Sequence, residues 1–225
     1  MKDNFELQKK YGAEQVFVLP YTETAEIPDG YTPIKSIIKE LDMSKGSFVL
    51  RCDAEGNPAL QQIIPCAVIR DMDGNVFVSK RIDGDDRLKG KLSVTFGGHI
   101  NPCDAVKCHI SSKDDIAITG LRRELGEETT LYDDKKFKKQ DILPEMASIN
   151  EKGYVRQLDS TTPEHIGIIY EVCISKKVKR ILKIRETDTL EGIWMTTADL
   201  IREIERFEGW SQLIIAEVIL EEEKK

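Results

Sequence analysis

"LRRELGEETTL", residues 121–131, decides how this chain is read. It places Glu124, Glu127 and Glu128 within five residues, beside Arg122 and Arg123. On a helix these glutamates fall at i, i+3 and i+4, within an arc of about 100°. Ile118, Leu121 and Leu125 form an adjoining apolar stripe that would dock on a sheet. The acids therefore border the core-facing edge of the helix. Like charges at this spacing repel by about 0.2–0.5 kcal/mol per pair in water, and by more where they are half-buried. Two readings follow. One is a solvated acidic face next to two arginines. The other is a carboxylate cage for a hard divalent cation such as Mg²⁺, which takes oxygen ligands and often shares them with substrate phosphates.

The surrounding chain supplies the context. Upstream, "LSVTFGGHI" (92–100) reads as a strand ending in Gly97-Gly98, where backbone carbonyls can approach a metal without side-chain interference. Before it, "QIIPCAVIRDMDGNVFVSKRI" (62–82) holds two β-rich runs around Asp73-Gly74-Asn75, a hairpin signal because such a turn needs positive φ. Residues 83–91 form a polar loop and 101–113 read as irregular. The acidic helix is expected from about Asp114 to Thr129, capped by Ser112 or Asp114. After the charged stretch 132–140, strands are expected at 141–150, 165–175 and 191–196. Two helices follow, broken near Gly209 with Ser211 as cap. Toward the N-terminus, 14–20 and 47–52 read as strands and 31–42 as a helix, from Ile34, Ile37, Ile38 and Leu41 at helical spacing. Residues 1–60 are taken as an N-terminal α+β extension, either a small subdomain or a dimerisation arm, and 61–225 as the main domain.

In this setting "RELGEETTL" (123–131) resembles the Nudix box of the Nudix hydrolases, G-x5-E-x7-R-E-U-x-E-E-x-G-U, where U is a bulky aliphatic residue. Arg123-Glu124-Leu125 and Glu127-Glu128 match R-E-U-x-E-E, and Leu131 matches the last U. Asp115 stands where the pattern has its first glutamate, and Gly98 would be the opening glycine. The resemblance covers about 62–220. It departs from the pattern in three places. Sixteen residues separate Gly98 from Asp115 where the pattern has five, Asp115 is one methylene shorter than Glu, and Thr130 replaces a glycine. A β-branched residue is costly in the left-handed conformation that glycine would allow at a helix exit, so the end is either strained or the helix runs on. The first two departures lie away from the E-x-x-E-E cluster. "GGHINP" before a long insertion resembles a bacterial Nudix subgroup.

The resemblance implies a Nudix α/β/α sandwich with a mixed sheet, and a Mg²⁺-dependent hydrolase, with Mn²⁺ as the alternative ion. Its substrate would be a nucleoside diphosphate linked to another moiety. Glu124, Glu127 and Glu128 would be the side-chain metal ligands, and the Gly97 carbonyl a further one. Arg123 would orient the glutamates. Family members often add a glutamate from outside the box as base or ligand. Glu164, Glu186 and Glu191 are the options, with Glu191 favoured because it precedes "GIW"; Glu127 or Glu128 could itself activate water. Two rivals stand beside this reading. A non-catalytic Nudix-fold nucleotide-binding or regulatory protein is disfavoured by the complete R-E-x-x-E-E. An isoprenoid-diphosphate isomerase needs a cysteine context that Cys103 and Cys108 lack.

Composition narrows the partners. The chain has 225 residues, 40% hydrophobic and 32% charged, with a net charge of −7 and a pI of about 5.2. That acidity argues against a general nucleic-acid binder. It leaves phosphate substrates open, because a bound cation reverses the local sign. The first fifteen residues hold no signal-type apolar core, and no run approaches a membrane helix. Five cysteines without framework spacing suit a reducing compartment, so a cytoplasmic protein is expected, with a homodimer through the N-terminal extension. His99, Cys103, Cys108 and His109 crowd the inserted loop, but H-x3-C-x4-C-H matches no common zinc finger. His99 follows the glycine pair and could instead reach a phosphate. "KKVKRILKIRE" (176–186) reads as a solvated face that could steer an anionic substrate. Trp194, Trp210 and Phe96 read as core.

Overall fold

Turn chemistry and alternation build the described part of this chain, a computed structural model covering residues 4–36, 41–83, 89–110, 115–131, 147–180, 182–185 and 187–219. Ile37, Ile38, Ser112, Asp114, the start of the 141–150 strand and Glu186 fall outside those residues. The helices are α1 (Asn4–Tyr11), α2 (Tyr21–Thr24), α3 (Arg51–Ala54), α4 (Pro102–Ile110), α5 (Ile116–Glu128), α6 (Lys176–Lys179), α7 (Thr197–Arg202) and α8 (Gly209–Ile214). The strands are β1 (Gln15–Pro20), β2 (Gly30–Pro33), β3 (Ser47–Leu50), β4 (Leu60–Asp71), β5 (Val76–Arg81), β6 (Leu92–Ser93), β7 (Thr95–Gly97), β8 (Ala147–Arg156), β9 (His165–Ile174) and β10 (Leu190–Met195). Strand neighbours run β10-β5-β4-β9-β8-β2, with β1 beside β3 and β4, β6 beside β5 and β7 beside β4. The expected α/β class with a large sheet is what the protein has. Among the described residues no helix is long and apolar enough to cross a membrane.

The chain divides into two compact units, one of 1–65, 98–121 and 153–168, the other of 66–97, 122–152 and 169–225. In the first, β1 is buried along its middle and pairs antiparallel with β3, Phe17 opposite Phe48, and with the start of β4, Leu19 opposite Gln61. The two phenyl rings meet edge-on at 5.4 Å. β2 pairs antiparallel with the end of β8, Pro33 opposite Gly153. Gly153 has φ +154°, and a Cβ there would stand 2.1 Å from the Thr32 carbonyl oxygen, so this close approach admits no side chain. Where a helix was expected over 31–42, β2 and a 3₁₀ turn at Ile34–Ser36 occupy 30–36. Pro33 explains part of the difference, because it holds Thr32 extended and has no N–H for a helix. The segment expected to be irregular contains α4, opened by Asn101 and Pro102. The Asn101 side chain accepts from Cys103 N–H at 3.1 Å, and Asp104 accepts from Asn101 N–H at 3.0 Å.

In the second unit, β5 pairs antiparallel with β10 along its length and with β6, while β4 pairs with β7, Cys66 opposite Gly97. The β4–β5 turn forms as expected, with Gly74 at φ +83°. The Asp71 carboxylate accepts from Asp73 and Asn75 N–H at 2.8 and 2.9 Å, fixing the turn from within. Phe77 stacks on Phe96 at 5.5 Å and meets Trp194 at 5.1 Å. Leu125, Leu131, Leu200 and Ile214 are buried in the unit's core, as are Phe77 and Phe96. The strand expected over 92–100 is broken into β6 and β7 and ends at Gly97. α8 starts one residue after Glu208 rather than at a Ser211 cap. Ser211 faces inward instead, and its hydroxyl accepts from Val94 N–H at 3.0 Å.

Candidate functional site

The acidic helix turns one buried arginine onto two of its own glutamates. Arg123 is 7% exposed. Its Nη1 donates to Glu124 Oε1 at 2.7 Å and to Glu127 Oε2 at 3.1 Å. The second contact spans i to i+4, one turn along the helix, where side chains meet. One guanidinium thus aligns two carboxylates that would otherwise repel. Glu128 points elsewhere: its Oε2 accepts from the Gly97 N–H at 3.1 Å, tying the helix end to the last residue of β7. Gly97 therefore meets the cluster through its N–H, on Glu128, whereas sequence reasoning singled out its carbonyl.

The helix exit explains how Thr130 replaces a glycine. No described non-glycine residue has positive φ, Thr130 included. The chain leaves α5 through an isolated β-bridge. Thr129 bridges Ile184, Thr130 N–H donates to the Lys183 carbonyl at 3.0 Å, and Arg185 N–H donates to the Glu128 carbonyl at 2.7 Å. Lys183 N–H also donates to the Thr130 hydroxyl at 3.0 Å. A neighbouring segment satisfies the helix-end groups, so a left-handed residue is not needed.

A cleft of about 210 Å³ opens beside Gly97 and Glu128, with Arg81, Lys91, Ser93 and Glu208 also on its wall. Glu208 is fixed by Ser211, whose hydroxyl donates to Oε1 at 2.7 Å, and by its backbone N–H on the Leu92 carbonyl at 3.0 Å. Ser93 also donates to Oε1 at 3.3 Å. Electrostatics mark the same region. Burial pushes the thiol of Cys66 well above its ordinary value, and the charges of Glu208, Glu128 and Glu124 push it further. The region thus gathers carboxylate oxygens, which are the ligands a hard divalent cation takes.

The sequence-derived residues divide clearly. Gly97, Arg123, Glu124, Glu127 and Glu128 lie in the second unit, where the hydrogen bonds above join Arg123 to Glu124 and Glu127, and Gly97 to Glu128. Glu191 sits on β10 opposite Lys80, with its side chain 56% exposed and 3.8 Å from the lysine ammonium. Its neighbour Leu190 lines the cleft, and strand alternation sends residue 191 to the other face. Glu164 belongs to the first unit, is 2% exposed, and accepts from Gly56 N–H at 2.8 Å. Phe96 is buried, while Trp194 and Trp210 are half-buried. In the basic stretch, Lys179 pairs with Asp71 and Lys176 with Asp73 at 3.4 Å, so part of its charge is spent on the β4–β5 turn. Arg81, Lys91 and Glu208 were not anticipated. Their only trace in sequence is a strand end, a polar loop and the residue before a helix-breaking glycine.

No family model matches the chain. It is 27% identical over 199 residues to Protein YmaB of Bacillus subtilis (strain 168), covering 87% of this chain and 85% of that protein. Its structure is similar to that of Tm1382, described as "a putative Nudix hydrolase", with a TM-score of 0.68 and 20% identity over 92% of this chain and 99% of the other. It is also similar to DR0079 from Deinococcus radiodurans, with a TM-score of 0.52 and 16% identity over 90% and 98% of the two chains. The fold is that of the Nudix hydrolases.

Proposed function

We propose that this chain is a divalent-metal-dependent hydrolase acting on the pyrophosphate bond of a nucleoside diphosphate linked to another moiety. The observation that carries the reading is Glu128 held at the Gly97 N–H on the wall of a cleft that also bears Arg81 and Lys91. Glu124, Glu127, Glu128 and the Gly97 carbonyl would hold Mg²⁺ or Mn²⁺. That ion would neutralise diphosphate charge and lower the pKa of an attacking water. Arg123 keeps Glu124 and Glu127 aligned. Arg81 and Lys91 take up phosphate oxygens, as cations in a cleft of this size can. Glu208 receives the proton of the attacking water, and Glu127 or Glu128 is the alternative base; Glu191, favoured from sequence, would act only from the other face of β10. Water adds across the P–O–P linkage, giving a nucleotide and a second phosphate-bearing product. The cleft admits the diphosphate more readily than a whole nucleotide, so the base and its partner group reach outside it. We further place the protein in the cytoplasm, on its five free cysteines. Residues 1–60 serve as the extension through which it forms a homodimer, a reading that solution mass measurement tests.

The test is phosphate-releasing turnover against dinucleoside polyphosphates, nucleotide sugars and nucleoside triphosphates with Mg²⁺. Wild type would be compared with Glu128→Gln, Glu208→Gln and Glu191→Gln. Wild-type turnover that collapses by orders of magnitude in Glu128→Gln supports the hydrolase. Loss of kcat in Glu208→Gln with Glu191→Gln near wild type assigns the base. If nothing turns over while a compound raises the melting temperature equally in wild type and Glu128→Gln, the protein is a binding module.

A further inference from the structure

The first unit gathers a second set of metal-type donors that owes nothing to the acidic helix. Glu55, just after α3, His99, just after β7, and His165, at the start of β9, bring one donor atom each to within 4.8 Å of one another. Three separate segments supply them, although the whole chain has only three histidines. Glu55 is 8% exposed, and both histidines are half-buried.

We propose that Glu55, His99 and His165 form a binding site for a zinc-class divalent ion. Two imidazoles and one carboxylate suit a borderline transition ion better than Mg²⁺, which prefers an all-oxygen shell. Such a His₂Glu set also leaves a fourth position open for water or a ligand atom. Bonds of about 2.0–2.1 Å place tetrahedral donors roughly 3.3 Å apart. The 4.8 Å bound on the cluster exceeds that spacing by about 1.5 Å.

Two surrounding features are those of a built site. The His99 Nε2 lies 2.8 Å from the Oε1 of Gln62, a side chain with no exposure. With Nε2–H donating to that oxygen, Nδ1 carries the lone pair, and the ring is fixed in one orientation. Outer hydrogen bonds of this kind hold metal-binding histidines in place. The local charge also calls for a cation. Arg51 divides its guanidinium between Glu55 at 3.1 Å and Glu14 at 2.9 Å, so one positive charge faces two carboxylates. The buried carboxylate of Glu164, adjacent to His165, adds another. Its Oε1 accepts from Gly56 N–H, and its Oε2 is buried without a hydrogen-bond partner. A divalent ion would offset that excess.

The experiment titrates Co²⁺ alone into the full-length, chelator-treated protein and follows the visible d–d absorption, with Zn²⁺ as competitor. It is run in a Glu124→Gln/Glu127→Gln/Glu128→Gln background, so the result does not depend on the proposed hydrolase site. One saturable equivalent, displaced by Zn²⁺, is expected. His99→Ala and His165→Ala should each weaken binding at least about 10-fold, and Gln62→Leu by about 10-fold, the usual cost of losing an outer partner. The isosteric Glu55→Gln should also weaken it, while His109→Ala should not. Neither His99 nor His165 is fully buried, so their truncation leaves the core intact, and far-UV circular dichroism checks this. The absence of a saturable band overturns the proposal. So does a band that survives His99→Ala and His165→Ala, or one that disappears with His109→Ala.

Discussion

Arg123 is worth more to the acidic cluster than its single charge suggests. Its Nη1 serves Glu124 and Glu127 together, and with 7% exposure it has little freedom to leave them. Truncation would free both carboxylates to rotate and repel. Arg123→Ala should lower kcat/KM by about 10–100-fold, the range seen when a residue orienting metal ligands is lost. The Mg²⁺ concentration for half-maximal rate should rise, with nucleotide KM nearly unchanged. Mg²⁺ activation curves that superimpose for the two proteins would refute the positioning role. At this scale the sequence was legible where residues are neighbours in one helix. Glu124, Glu127 and Glu128 announce themselves by spacing alone. Glu208, Arg81 and Lys91 come from three distant stretches, and only pairing of β5 with β6 and β10, and the bond from Glu208 N–H to the Leu92 carbonyl, assembles them. No local pattern encodes that.

The helix that carries the glutamates shows how one element accommodates its own departures. Asp115, standing where the Nudix pattern has glutamate, caps α5: its Oδ1 accepts from Ile118 N–H at 2.8 Å. The shorter carboxylate suits this role, since aspartate and asparagine lead the N-cap ranking. Asp115→Asn should therefore be nearly neutral. Asp115→Ala should cost about 0.5–2 kcal/mol, and Asp115→Glu part of that. Chemical denaturation would read the change, and Mg²⁺ affinity should stay the same in all three variants. A loss of metal binding in Asp115→Asn with unchanged stability would instead make residue 115 part of the site. The position of this helix was legible because its apolar stripe and acids share one period. α4 was not read, although Asn101-Pro102 with Asp104 is a start signal. Its nine residues are too few for periodicity to show. Over 31–42 the periodicity misled, since Pro33 and the pairing of β2 with β8 override it within 30–36.

At the scale of the whole molecule, sequence reasoning works along the chain, whereas contacts group residues across it. Residues 1–65 cluster with 98–121 and 153–168, an interleaving that no composition shift announces. The α/β class survives this because it depends on element types and order, which periodicity does report. Stability against acid is likewise a property of the whole chain, where two effects oppose each other. With a net charge of −7, mild acid relieves general repulsion as the pH approaches the pI of about 5.2. Asp71 works the other way. Burial pushes its carboxyl up, but Lys179, the Asn75 side chain and the N–H groups of Asn75 and Asp73 outweigh that and hold it below the ordinary value. The unfolded carboxyl titrates near about 3.9. A depressed folded pKa means the contribution is present in full above that value and fades as pH falls through the folded one. Asp71→Asn, which keeps the turn's acceptor oxygen but drops the charge on Lys179, should cost about 1–3 kcal/mol at pH 7. The gap between the two proteins should stay constant down to about pH 5 and narrow below about pH 4. Urea unfolding of both at pH 7, 5, 4 and 3 separates this specific loss from the general charge effect, which the variants share apart from one unit. A gap that widened as the pH fell would mean that Lys179 does not hold Asp71 ionised in the folded chain.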